Sequence, residues 1–131
     1  MIKTFLSCDE IYNQMVRLGY SPIESKKYAY EFQLSNGHYV YVKRLKDSKA
    51  SKKWASRLMI HPGLKDHRSL LEATENVSLR FAIEENMSTA FVKFPVSPLS
   101  KSAKAPSRYG AGVNFKTPQA IEEFISRLSK I

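Results

Sequence analysis

The sequence is almost without cysteine, holding only Cys8 among 131 residues. A single thiol excludes an intrachain disulfide, and a chain that folds without one suits a reducing compartment. Histidines are equally few: His38, His61 and His67. One thiol and three scattered imidazoles lack the close ligand spacing of a structural zinc site, so no metal is expected. No stretch approaches the ~18 consecutive apolar residues of a membrane helix. The opening MIKTFLSCDEIYNQ has too short an apolar run for a signal peptide, and Asp9 and Glu10 follow at once. These absences together lead us to expect a cytoplasmic protein with no membrane partner. Neither a Gly-x-Ser-x-Gly elbow nor a glycine-rich phosphate loop is present, and no cofactor is expected. The length suits one domain over residues 1–131.

What the chain does contain is organised. Ser7 and Glu10 have capping-box spacing, and Ile11, Met15 and Leu18 share one helical face up to Gly19. This pattern predicts a helix over 8–18. Tyr28, Tyr30, Phe32 and Leu34 alternate with Ala29, Glu31 and Gln33; Ser35-Asn36-Gly37 follows, then His38 to Arg44. Asn-Gly between two such runs predicts a hairpin whose turn residues both tolerate positive φ. Tyr28, Tyr30, Tyr39 and Tyr41 read as an aromatic stripe, more of it sheet packing under a helix than an exposed platform for bases.

Further strands are predicted over 57–61, 77–83 and 90–94, with a helical turn at 64–72 and a hairpin loop at 84–88. Residues 95–112, with three prolines and two glycines, read as a long connection. Thr117-Pro118 starts a last helix with an Ile121, Phe124, Ile125 and Leu128 stripe. The order predicts an α+β fold: a single antiparallel sheet of about five strands, with an N-terminal and a C-terminal helix packed on it.

Tyr39-Val40-Tyr41-Val42, then Leu58-Met59-Ile60-His61-Pro62-Gly63-Leu64-Lys65-Asp66, then Tyr109-Gly110 and Ala120-Ile121-Glu122-Glu123-Phe124-Ile125 occur in that order along most of the chain. In these strings the sequence resembles the YgaC family of small uncharacterised cytoplasmic enterobacterial proteins. The Ile-His-Pro-x-Leu-Lys string is its most specific piece. Residues 45–56 and 98–107 look like longer, more basic loops than that family has. The resemblance implies an antiparallel sheet with helices and implies no activity.

The unusual quantity is charge, with 21 Lys and Arg against 12 Asp and Glu, a net +9. Residues 43–68 hold nine Lys and Arg and two Asp, a net +7, and residues 93–116 hold five Lys and Arg and no acid. The remainder is therefore −3. The candidate binding residues are Lys43, Arg44, Lys46, Lys49, Lys52, Lys53, Trp54 and Arg57 in the first segment, and Lys101, Lys104, Arg108 and Tyr109 in the second. Cations that neutralise phosphates give salt-dependent affinity, and Trp54 and Tyr109 suit stacking on unpaired bases. If both loops reach one edge of the sheet, they form a strong positive patch.

Catalytic constellations are sparse. His61 and His67 with Lys65 or Arg68 lie close enough in sequence for a metal-independent ribonuclease, which needs a base, an acid and a cation near one phosphate. His61 precedes a proline at a strand end, where a ring more often binds turn backbone. His67 reads as solvated and His38 as a strand-end residue. Glu84-Glu85 and Glu122-Glu123 lack the arrangement of a metal-dependent nuclease, and Cys8 reads as a small packing residue. We therefore expect no catalytic residues. The favoured expectation is a non-enzymatic binding protein whose basic loops contact an acidic partner, foremost nucleic acid. The alternatives are an immunity or inhibitor protein directed at an acidic toxin or enzyme, and a ribonuclease.

Overall fold

The computed structural model describes residues 5–25, 29–44, 56–81, 87–88, 90–100, 104 and 106–131. The elements run α1 (Cys8–Arg17), β1 (Glu24–Ser25), β2 (Ala29–Gln33), β3 (Tyr39–Lys43) and β4 (Leu58–Ile60). A 3-10 turn (Pro62–His67) and α2 (Arg68–Glu72) follow, then β5 (Val77–Arg80), β6 (Met87–Ser88), β7 (Arg108–Tyr109), β8 (Ala111–Phe115) and α3 (Pro118–Leu128).

Local chemistry sets both terminal helices. At α1 the Ser7 hydroxyl accepts from the Glu10 N–H (3.1 Å), and the Ser7 N–H donates to Glu10 Oε1 (2.9 Å). This reciprocal pair satisfies two amides that the first turn leaves orphaned. Leu18 caps the other end, and Gly19 follows at φ +96°. At α3 the Thr117 hydroxyl accepts from the Ala120 N–H, with Pro118 in the first turn.

The main sheet has the order β1-β2-β3-β4-β8-β5, with every pairing antiparallel. The α+β architecture with a helix at each end is therefore as the sequence leads one to expect. β1 adds a two-residue edge, and β6 and β7 form a separate two-stranded pair. Both terminal helices cover one face: Ile11 and Met15 of α1 and Ile121, Phe124, Ile125 and Leu128 of α3 share a core with Phe32, Val40, Val42, Leu58, Ile60, Val113 and Phe115. No helix among the described residues is long and apolar enough to cross a membrane.

Three details differ from the sequence-based expectation. The β2–β3 turn takes positive φ at Gly37 (+94°) but not at Asn36. Asn36 instead donates through Nδ2 to the carbonyls of Leu128 (3.0 Å) and Ile131 (3.2 Å), tying the turn to the end of α3. Residues 90–94 form no strand. The Val92 N–H reaches the Ala90 carbonyl and the Phe94 N–H reaches the Phe91 carbonyl, so a tight turn sends both rings the same way. Finally, the expected 95–112 connection contains β7 and the start of β8, a strand paired on both sides and buried at all five residues.

The second face of the sheet is also covered. Ala29, Tyr41 and Met59 pack there with Ala90, Phe91 and Phe94. The Tyr41 ring lies 5.1 Å from Phe91 and 4.9 Å from Phe94, the latter edge-on. The register explains why the tyrosine stripe does not hold together. Tyr30 is opposite Val42 and Phe32 opposite Val40, whereas Tyr41 is opposite Glu31 and Tyr39 opposite Gln33. Opposite residues share a face, so Tyr30 belongs to the helix side and Tyr39 and Tyr41 to the other. Tyr28 lies outside the described residues.

Candidate basic interface

The first basic segment leaves β3 and returns into β4. The Lys43 N–H donates to the Arg57 carbonyl at 2.8 Å, so its two ends meet at one end of the sheet. Lys43 is half-buried and Arg44 is exposed. The Arg44 guanidinium stands 4.6 Å from the centre of the Tyr30 ring, a cation–π placement that steers it without consuming its charge. Lys46, Lys49, Lys52, Lys53 and Trp54 lie outside the described residues.

Arg57 does not belong to a solvent-facing set. It is 3% exposed, its guanidinium lies 5.9 Å from the Phe5 ring, and its backbone N–H donates to Asn114 Oδ1 at 3.0 Å. Burial pulls its pKa below the ordinary arginine value, and nearby Cys8 opposes that shift. Position accounts for this: one residue before β4, Arg57 sits inside the layer between sheet and N-terminal segment. Its charge counts toward the net +7 but is not presented to a partner.

The second basic segment arrives elsewhere. Ile60 pairs with Ala111, so Arg108, Tyr109 and Gly110 approach the opposite end of β4. At ~3.3 Å per strand residue, this is roughly 15 Å from the Lys43–Arg57 end. Among the described residues the two segments therefore do not converge on one edge. Lys104 is exposed, and Arg108 and Tyr109 are half-buried. Arg108 Nη1 donates to the Phe94 carbonyl at 2.7 Å, which fixes the guanidinium. Lys101 lies outside the described residues. Lys93, counted in that segment's charge but not among the candidate binding residues, is exposed and holds its ammonium 5.4 Å from the Tyr39 ring.

Of the histidines, His61 takes a structural place. His61 Nδ1 accepts from the Gly63 N–H at 2.9 Å and so caps the 3-10 turn, while the ring meets Phe94 edge-on at 5.5 Å. Burial pulls its pKa below the ordinary histidine value, with His38 adding to the effect. An Nδ1 that accepts here is committed to the turn and does not serve as a free base. His67 is exposed at the end of that turn.

A buried polar pair also escaped the sequence reading. Glu31 is 2% exposed, and its Oε1 accepts from the Tyr41 hydroxyl at 2.5 Å. That hydroxyl accepts in turn from the Lys93 N–H at 3.0 Å. Burial, then the Glu31 hydrogen bond, push the Tyr41 pKa well above the tyrosine range, so the phenol stays a donor. Alternation places Glu31 away from the helix-covered side, on the face where Ala90, Phe91 and Phe94 pack against its partner Tyr41. Cys8 is buried in the main core, and no group of three or more His, Cys, Asp or Glu among the described residues is placed to hold a metal ion.

These features define a small α+β protein with a helix-covered sheet, a strapped second face and basic segments at both ends. The chain belongs to the family described as "Protein of unknown function (DUF2002)", whose model matches residues 4–129. No curated protein matches it.

Proposed function

We propose that the protein is a non-enzymatic nucleic-acid-binding protein whose main contact surface is the basic segment from Lys43 to Trp54. The observation that carries this reading is the segregation of charge: a net +7 over residues 43–68 on a chain otherwise −3 outside its two basic segments. Exposed Arg44, steered by Tyr30, stands at the mouth of that segment. Lys46, Lys49, Lys52 and Lys53 supply phosphate contacts and Trp54 a stacking surface. Lys101, Lys104, Arg108 and Tyr109 provide a second basic region, which the same strand reaches only by crossing the sheet end to end. Neither terminal helix is basic enough to enter a major groove, so the reading favours single-stranded or structured nucleic acid.

Fluorescence polarisation with short DNA and RNA oligomers across a salt series tests it. Affinity should fall linearly on a log–log plot. Replacing Lys49, Lys52 and Lys53 with Gln should flatten the slope by roughly two units, at ~0.7 per phosphate contact on a single strand. Absent or salt-insensitive binding, or an unchanged slope in the triple variant, overturns the proposal.

A further inference from the structure

Residues 90–100 form a strap with two distinct sides. Phe91, Phe94 and Ser97 point inward and are buried, whereas Val92, Val96 and Leu99 are 42%, 46% and 50% exposed. The outward side chains stand on a hydrogen-bonded frame. The Phe94 N–H donates to the Phe91 carbonyl (3.0 Å), the Lys93 N–H to Tyr41 Oη (3.0 Å), the Leu99 N–H to Ser97 Oγ (3.1 Å) and the Ser107 N–H to Ser100 Oγ (2.9 Å). Exposed aliphatic side chains on a pre-ordered frame lose little entropy when a partner covers them.

The segment that carries the strap has one sign of charge from Lys93 onward. No acid occurs between Lys93 and Lys116. Lys93 lies beside Val92, and Arg108 is bridged directly to Val96. The pairing also limits how a partner can attach. The Ser97 N–H bonds the Ser107 carbonyl and the Tyr109 N–H bonds the Pro95 carbonyl, so the Val96 backbone groups face away from β7. The next groups on that edge belong to positions 94 and 98: the Phe94 N–H already bonds the Phe91 carbonyl and Pro98 has no N–H, so an added strand finds no run of donors along it. Recognition must therefore run through side chains. Aliphatic groups gain more from apolar protein side chains than from phosphates or bases, and the cations select carboxylates.

We infer that Val92, Val96 and Leu99, with Lys93 and Arg108, form a docking surface for an acidic protein segment that presents apolar side chains, separate from the Lys43–Trp54 surface. The probes are three labelled amphipathic peptides with Leu on one helical face and Glu, Gln or Lys on the other. The Glu/Leu peptide should bind, and the full-length V92S/V96S/L99S variant should bind it roughly tenfold or more weakly, as expected for loss of a hot-spot cluster. Circular dichroism and urea unfolding should show that variant folded, since exposed substitutions move stability little. The Gln/Leu and Lys/Leu peptides should bind far less. Binding of the Glu/Leu peptide should survive K49Q/K52Q/K53Q, and oligonucleotide affinity should survive V92S/V96S/L99S, so each surface fails or stands on its own. Failure of the Glu/Leu peptide to bind overturns the inference. So does equal binding of the Gln/Leu peptide, indifference to the triple substitution, or loss of oligonucleotide affinity in that variant.

Discussion

Replacing Tyr41 with Phe removes one oxygen and leaves the ring in place. That oxygen donates to Glu31 Oε1 at 2.5 Å and accepts from the Lys93 N–H at 3.0 Å. The larger loss is at Glu31, which is 2% exposed and would keep a buried carboxyl without its donor. Leaving a buried group unsatisfied costs ~1–3 kcal/mol, more if charged, and the Lys93 amide adds a smaller amount because it is only part-buried. The expected destabilisation is about 3 kcal/mol, or a fall in Tm of about 10 °C for a chain of this length. Urea unfolding followed by far-UV circular dichroism measures it, with the midpoint lowered and the m-value unchanged. The second arm is Glu31→Met with Tyr41→Phe, which removes both polar groups at similar volume. This double variant should be more stable than Tyr41→Phe alone, with a coupling of at least ~1 kcal/mol. A Tyr41→Phe variant within ~0.5 kcal/mol of the parent, a scatter typical of surface changes, would refute the reasoning. Strictly additive effects would refute it as well.

Gly110→Ala should destabilise by ~1–3 kcal/mol, the cost of overpacking, read by the same unfolding assay. A Cβ there would lie 2.8 Å from the Ile60 carbonyl oxygen, which is backbone and cannot move aside, and 2.8 Å from Phe94 Cε2. Asn36→Ala should cost ~1 kcal/mol and speed amide exchange in the last turn of α3, because it removes both bonds to the C-terminal carbonyls. His61 should make stability fall with acid. Its folded pKa is lowered from 6.5, so its contribution is full above that value and is lost as pH falls through the folded pKa. Protonating Nδ1 also breaks the bond from the Gly63 N–H, and His61→Asn, which keeps an acceptor, should flatten the acid limb of the unfolding midpoints below pH 6.5.

Where local chemistry decides structure, the sequence is readable. Ser7 with Glu10 and Thr117 with Pro118 mark the helix starts because side chains satisfy orphan amides within four residues. The first hairpin follows from alternation around Asn36-Gly37. β8 was hidden for the opposite reason. It is buried on both faces, so Ala111 to Phe115 show no period of two, and Gly110 and Gly112 look like loop residues. Gly110 is small because the Ile60 carbonyl and the Phe94 ring lie against it, a tertiary fact with no local trace. Residues 90–94 mislead in the reverse sense. Phe91 and Phe94 fit an alternating reading only loosely, and their spacing of three is what a turn needs to send both rings inward.

The basic surface was legible as composition but not as placement. Counting charges finds Lys43, Arg44 and Arg57 together and cannot tell that Arg57 is buried while Arg44 is exposed. Nor does it show that β8 pairs with β4 so that the two segments meet the sheet at opposite ends. That separation matters for function. One continuous patch would bind a compact acidic ligand, whereas two regions roughly 15 Å apart, by the ~3.3 Å strand rise, favour either an extended strand or two different partners. On the docking surface proposed above, the strap between them favours two different partners. Its outward residues are aliphatic beside Lys93 and Arg108, its inward ones seal the second sheet face, and the Tyr41–Lys93 bond joins the two sides. The Tyr41→Phe variant therefore loosens the frame that presents Val92, since the bonds it removes go to Glu31 and Lys93. Peptide affinity should fall with that substitution while oligonucleotide affinity holds, and a parallel loss of both would mean that the two basic regions act as one surface.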